Sequence, residues 1–292
     1  MKRTVLLLAI LAFSSICSAQ RPSESNLVKD GGNLAIFRTM ALLGDSLGSG
    51  EMAYGAAKQE FTHYRDMYDY SWMQFLARAC GSTAYCYSCG GMSAKAFMTS
   101  PKEPIRKFFE DGTACQAYFI AMGHNDYNAV SRGWQRAGYD SYEAYLKVYL
   151  GSRDDVHPED PSGNADTYYG NYARMIQAIK EKSPEAKIFV ITMMNEEKYG
   201  PFNEAIRQMP GLFSNTYLVD MAEYFPDMPD WHYTEGHGNA MGYLAYSQRI
   251  ATIADWIIRN NREWFMYTAL IGTDLESYIP ESAKGSYPVP AI

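Results

Sequence analysis

Residues 39–48 read TMALLGDSLG. The stretch opens with an apolar run and stops abruptly at Gly44-Asp45-Ser46. A short, wholly apolar run bounded by a turn signal marks a strand buried on both faces. Similar runs recur at 84–88, 117–122, 187–192 and 216–219. Between them lie stretches with helical periodicity, at 68–79, 166–182 and 239–260. Buried strands alternating with amphipathic helices predict an α/β domain, a three-layer α/β/α arrangement around a parallel sheet of about five strands.

The flanks set the limits of that domain. Residues 20–33 are polar and Gly-rich and read as a linker, the domain itself spans 34–270, and 271–292 form a Pro-rich tail packing on the domain or extending from it. Residues 126–165 hold aromatic stretches and a polar run at 152–164, and read as an insertion with some helix over the rim of the sheet. The aromatic stretch 139–149 reads as the packed face of a helix rather than a carbohydrate-stacking surface. Lys2 and Arg3, an apolar core at 5–13 and small residues at Cys17 and Ala19 form a secretory leader, 1–19. A lipid anchor at Cys17 is the lesser reading, because Ile16 stands where a small residue is usual. The apolar core is too short to span a bilayer, and no later stretch reaches the length of a membrane helix.

The chain has 292 residues, 47% apolar and 20% charged, with a net charge of −7. That composition is ordinary for a globular protein and offers no basic surface for nucleic acid. Export predicts a periplasmic or extracellular location, where thiols meet oxidant. Cys80, Cys86, Cys89 and Cys115 then read as one or two structural disulfides or as buried thiols. Cys86-x-x-Cys89 has no second pair and no histidine cluster beside it, so a metal site is disfavoured.

In open α/β sheets, sites form beyond the C-terminal ends of the strands. Gly44-Asp45-Ser46-Leu47 follows the first strand, Gly90-Gly91-Met92-Ser93 the second, and Gly123-His124-Asn125-Asp126 the third. His237-Gly238-Asn239-Ala240-Met241-Gly242-Tyr243 opens the last helix. Each block alone reads as a turn or a cap. In this order and spacing, over residues 38–260, they resemble the SGNH/GDSL hydrolase family. The resemblance implies the flavodoxin-like SGNH hydrolase fold and ester hydrolysis with no metal and no organic cofactor. Carried onto matching positions, it implies Ser46 as nucleophile and His237 as its base. It also implies an oxyanion hole of the Ser46 and Gly91 main-chain N–H groups and the Asn125 side-chain amide. Asp45 and Asp126 read as braces of their loops.

The histidine block departs from the family. Its usual form is Asp-x-x-His, and here Thr234 stands three before His237, while Pro229 stands three before His232. His237 is preferred because Gly242-Tyr243 follow it at the family's offset. Its orienting group is left open between a backbone carbonyl, Thr234, and a displaced acid, Asp230 or Glu235, with Asp230 favoured. The functional expectation is a secreted serine esterase acting on small acyl esters, acetyl esters above all, of a small-molecule or glycan substrate. One alternative is a lysophospholipase or thioesterase of the same family. The other is a non-catalytic glycan-binding protein.

Overall fold

The structure is a computed structural model that describes residues 20–54, 63–110, 112–234 and 236–288. The expected leader, Glu235 and the end of the tail at 289–292 lie outside the described residues. The strands are β1 (Thr39–Gly44), β2 (Glu51–Tyr54), β3 (His63–Asp66), β4 (Thr83–Ser88), β5 (Ala117–Ala121), β6 (Lys187–Ile191), β7 (Thr216–Val219), β8 (Tyr233–Thr234) and β9 (His237–Gly238). The helices are α1 (Trp72–Cys80), α2 (Ala94–Phe97), α3 (Glu103–Glu110), α4 (His124–Gly133), α5 (Tyr142–Leu150), α6 (Tyr168–Lys182), α7 (Glu196–Gln208), α8 (Met221–Tyr224) and α9 (Ala240–Asn260).

Five strands form one parallel sheet in the order β4-β1-β5-β6-β7. Their side chains alternate between two cores, which explains why these strands read as unbroken apolar runs. Ala41, Leu43, Tyr118, Ile120, Ile188 and Val190 face one core. There they meet Ile105 and Phe108 of α3, Ile176 and Ile179 of α6, and Phe202 and Ile206 of α7. Met40, Leu42, Phe119, Phe189 and Ile191 face the other, against Trp72 and Leu76 of α1 and Ile250, Ile253 and Ile257 of α9. The fold is therefore the three-layer α/β/α arrangement expected. Numbered along the chain the sheet order is 2-1-3-4-5, whose topological switch point lies between β1 and β5.

Local chemistry sets several boundaries. The helix expected over 68–79 is split, with a 3₁₀ turn at Tyr68–Tyr70 followed by α1. Ser71 makes the break, because its extended backbone and its hydroxyl, which accepts from Gln74 N, form an N-cap. The segment 126–165 supplies α4 and α5, and Tyr142, Tyr145, Leu146 and Tyr149 of α5 pack against the first core. Cys80, Cys86, Cys89 and Cys115 are free thiols. Cys86 and Cys89 pack against opposite cores, which separates the two sulfurs of the Cys-x-x-Cys pair.

Both flanking segments are tied to the domain. In 20–33, Val28 N donates to Thr252 Oγ1 (2.8 Å) and Asn33 N to Asp255 Oδ1 (2.7 Å), both on α9. In the tail, Asn215 N donates to Gly285 O (2.9 Å) and Tyr287 N to Thr216 O (3.0 Å), so the tail covers the open edge of β7. Gly285 is required there, because a Cβ would lie 1.9 Å from the Trp264 ring. Lys187 Nζ, buried beneath this strap, donates to Asn215 Oδ1 (2.7 Å) and Ala283 O (3.0 Å). Burial lowers its affinity for a proton and brings its pKa down to about 7.

Candidate active site

The register of the sheet places the sequence blocks side by side. Gly44 pairs with Ser88 on one side and Ala121 on the other, so β1, β4 and β5 end level. Ser46, Gly91 and Asn125 each follow within four residues of those ends, at the switch point. Gly44 and Gly48 are small for a packing reason: a Cβ on either would lie within 3 Å of the Ser88 hydroxyl, at 2.9 and 2.8 Å.

The turn that carries Ser46 is held by local hydrogen bonds. Asp45, buried, accepts from Leu47 N through Oδ1 (3.0 Å). Ser46 O accepts from Glu51 N (2.9 Å) and from the Ser49 hydroxyl (3.0 Å), and Ser49 also donates to Asp66. These bonds leave the Ser46 side chain half-buried at the rim. There, Ser46 Oγ lies 3.0 Å from His237 Nε2.

His237 reaches that point from a ladder of two residues per strand. β8 and β9 are antiparallel, with Thr234 opposite His237. The next turn is fixed by Asn239, whose N donates to His232 O (2.8 Å) and whose side chain caps α9 at Gly242 N (2.9 Å). Gly242 has no alternative, because a Cβ would lie 2.1 Å from the His232 carbonyl oxygen. Tyr243 packs its ring on Gly238 and donates its hydroxyl to Glu51 O (2.6 Å). The Gly-Tyr pair after the histidine thus sets the loop that presents it.

The other expected residues lie as follows. Gly91 has φ +75°, a left-handed conformation that favours glycine, and apart from its chain neighbours no atom of the described residues lies within 4 Å of where its Cβ would be. The demand the protein itself makes at this position comes from the backbone. Asn125, in the first turn of α4, donates through Nδ2 to Met92 O (3.0 Å), tying α4 to the loop that carries Gly91. Asp126 accepts from Ala94 N and from the Tyr149 hydroxyl, each at 3.0 Å, and braces the same loop. Burial pushes its pKa up to about 6 against those hydrogen bonds. His124 Nδ1 lies 3.5 Å from Asp45 Oδ2, and its ring stands edge-on to Tyr199.

Asp230 is exposed at the start of the 3₁₀ turn Asp230–His232, and no hydrogen bond or ion pair joins it to His237. The short 3₁₀ turn and the β8–β9 ladder together separate the two. His232 is buried, which lowers its affinity for a proton. Among the described residues, the carboxylate in contact with His237 is Glu51, with Oε1 3.1 Å from Nε2. His237 Nδ1 is buried without a hydrogen-bond partner among the described residues. Burial raises the affinity of Glu51 for a proton, and Asp66 and Asp45 add to that, while His237 and Lys102 oppose it. Sequence reasoning missed Glu51. The one signal available was an acid five residues after Ser46, and nothing in the sequence links it to a histidine 186 positions further on. Tyr64 of β3 stands beside the His237 ring, with centroids 5.1 Å apart.

A cavity of about 270 Å³ opens beside this pair. Leu47, His124, Lys198, Tyr199, Tyr233 and Gly238 contribute to its wall. Hydroxyls, an ammonium and aromatic faces there suit a polar ligand with some apolar surface.

No family model matches the chain, and no curated protein matches it in sequence. Solved structures match in fold. One is an active-site mutant of a family two carbohydrate esterase from Clostridium thermocellum, with TM-score 0.50 and 14% identity over 84% of this chain and 66% of that one. Another is a carbohydrate esterase family 2 enzyme with a carbohydrate-binding domain from Corynascus thermopiles (Myceliophthora fergusii), with TM-score 0.50 and 17% identity over 75% and 66%. A possible lipase from Chitinophaga pinensis aligns over 76% of this chain and 98% of its own, with TM-score 0.48 and 15% identity. What this chain shares with the two carbohydrate esterases is the three-layer α/β/α fold.

Proposed function

We propose that this protein is an exported serine esterase that removes small acyl groups, acetyl above all, from carbohydrate through an acyl-enzyme on Ser46. The observation that carries the reading is the 3.0 Å contact between Ser46 Oγ and His237 Nε2. An alcohol is a weak nucleophile until an adjacent base takes its proton, and this distance is within reach for that transfer. His237 removes the Ser46 proton as Oγ attacks the ester carbon, then returns it to the departing alcohol. Water repeats the sequence on the acyl-enzyme and frees the acid. The N–H groups of Ser46 and Gly91 and the Asn125 amide hold the oxyanion. Asn125 brings one N–H to Met92 O, which fixes the amide plane before substrate arrives.

The carbohydrate part of the reading draws on the likeness to the SGNH hydrolases, on the leader at 1–19, and on the aromatic and polar cavity beside the pair. Fluorophosphonate labelling and turnover of p-nitrophenyl acetate test it. Both are expected in the wild type and absent in Ser46→Ala. Absence of labelling in the wild type would instead favour the non-catalytic glycan-binding reading. A preference for long fatty-acyl over acetyl p-nitrophenyl esters would favour a lysophospholipase or thioesterase.

A further inference from the structure

We propose that Glu51 is the acidic partner of His237 and that it serves the ring from the Nε2 side, the side Ser46 also occupies. The inference rests on the reading of Ser46 and His237 as nucleophile and base. In the familiar triad the acid binds Nδ1, fixes the tautomer and stabilises the imidazolium. Here that acid's place is taken by Thr234, and Nδ1 has no hydrogen-bond partner among the described residues. Glu51 Oε1 lies 3.1 Å from Nε2, and Ser46 Oγ lies 3.0 Å from the same atom.

One ring nitrogen carries one proton, so its charge state decides what the two oxygens do. With the ring neutral and its Nε2 lone pair turned to Ser46, the carboxylate faces that lone pair and opposes it. With the ring protonated, the carboxylate faces a cation and attracts it. Glu51 therefore favours the product of the proton transfer that starts each half of the reaction. As the Ser46 O–H bond breaks and the Oγ–carbon bond forms, the proton comes to rest on Nε2 beside Glu51. It leaves for the oxygen of the departing alcohol, and Glu51 neither gains nor loses a proton. A positioned carboxylate of this kind does electrostatically what the missing aspartate does elsewhere.

Glu51 is held twice through its main chain, and its carboxylate packs against Gly90. Glu51 N donates to Ser46 O (2.9 Å), so acid and nucleophile share one tight turn. The Tyr243 hydroxyl donates to Glu51 O (2.6 Å), tying β2 to the first turn of α9. The second carboxylate oxygen lies against Gly90, where a Cβ would come within 2.3 Å of it. The charged and titratable groups around the pair are Asp45, Asp66, Cys89 and Lys102, with Tyr64 on the His237 ring and Tyr243 at the Glu51 backbone. Asp66 is engaged by Ser49, Asp45 faces His124, and Lys102 donates to Gly90 O, so Glu51 is the acid that meets His237 among the described residues.

The test is the pH profile of kcat/KM for p-nitrophenyl acetate in Glu51→Gln and Glu51→Asp. A carboxylate favours the charged form of a cation beside it, so its removal is expected to move the acid limb of the profile to lower pH. The plateau falls about tenfold or more as imidazolium stabilisation is lost. Glu51→Asp withdraws the charge by one carbon and falls between wild type and Glu51→Gln in both limb and plateau. If Glu51→Gln does not fold, Glu51→Asp decides alone, and a limb shifted towards acid supports the assignment. A lower plateau with an unmoved limb, a profile identical to wild type, or a limb that moves only in Asp45→Asn overturns it. Ser46→Ala separates the two layers of the argument. Turnover surviving in Ser46→Ala sinks the esterase reading itself, whereas its loss combined with a wild-type profile in Glu51→Gln sinks only the role of Glu51.

Discussion

The rim of the sheet holds two polar clusters, one beyond β1 and β5 and one beyond β6 and β7, and they are built to different standards. Beyond β6 and β7 the network is closed. Arg207 bonds Asp220 through Nε (2.8 Å) and Nη2 (3.2 Å), and Glu196 through Nη1 (2.7 Å) and Nη2 (3.0 Å). Thr192 donates to Asp220 Oδ1 (2.9 Å), and Asn203 bonds both the N–H and the carbonyl of Met193. Beyond β1 and β5 the network is open. Asp45 Oδ2, Ser88 Oγ and His237 Nδ1 are buried there without hydrogen-bond partners among the described residues. Buried polar groups left unanswered cost stability, so folds tolerate them where chemistry needs them. The contrast separates the part of the rim that holds strand ends together from the part proposed to react.

That division can be broken by substitution. The largest effect is expected from Ser46→Ala, which should lower kcat/KM for acetyl esters by about 10⁴-fold or more while leaving Tm unchanged or raised. A fall in Tm of several degrees would mean that the open cluster also supports the fold. Next, Asn125→Ala should lower kcat about a hundredfold with little change in KM; a loss confined to KM would remove the amide from the oxyanion hole. In the closed cluster, Arg207→Ala leaves two carboxylates without their shared partner and should cost about 2 kcal/mol or more of stability by denaturant unfolding. Turnover per folded molecule should be retained, and its collapse would join the two clusters into one unit.

Smaller effects refine the picture. Lys187 sheds its proton near pH 7 in the folded state, while an unfolded lysine keeps it to about pH 10.4. Between those limits the unfolded chain binds more protons, so this group makes stability rise with pH, by about 1.4 kcal/mol per unit. Lys187→Met should remove that increment, seen as the difference between the two stability–pH curves from pH 7 to 10. Two parallel curves would mean that the lysine keeps its charge beneath the strap. Least of all, Asp230→Asn should change kcat/KM by less than about twofold, in keeping with an exposed charge that makes no hydrogen bond or ion pair to the histidine. A large loss would restore it as the orienting acid.

How much of this was legible in the sequence follows from the range over which each signal acts. Strands such as 216–219 were readable because burial on both faces demands an unbroken apolar run, and the run carries its own evidence. The β2–β3 hairpin was not, because Glu51–Tyr54 and His63–Asp66 show no two-residue apolar alternation and are held by Tyr243 and by each other. Helix α7 was missed for a local reason, since Pro201 within it reads as a breaker. Ser46, Gly91 and Asn125 stand directly after strands, where motif and position coincide. Glu51 becomes visible only when residues far apart in the chain are brought together.

The bond between Ser46 and His237 joins positions 191 residues apart. Ser46 and Glu51 sit in the first strand-turn of the domain, and the histidine is held by the opening turn of its last long helix. A chain made from its N-terminus therefore carries Ser46, the proposed nucleophile, long before it carries His237, its proposed base. If Ser46 is the nucleophile, fluorophosphonate labelling will require α9 docked on the sheet, and the label will report closure between the two ends of the domain.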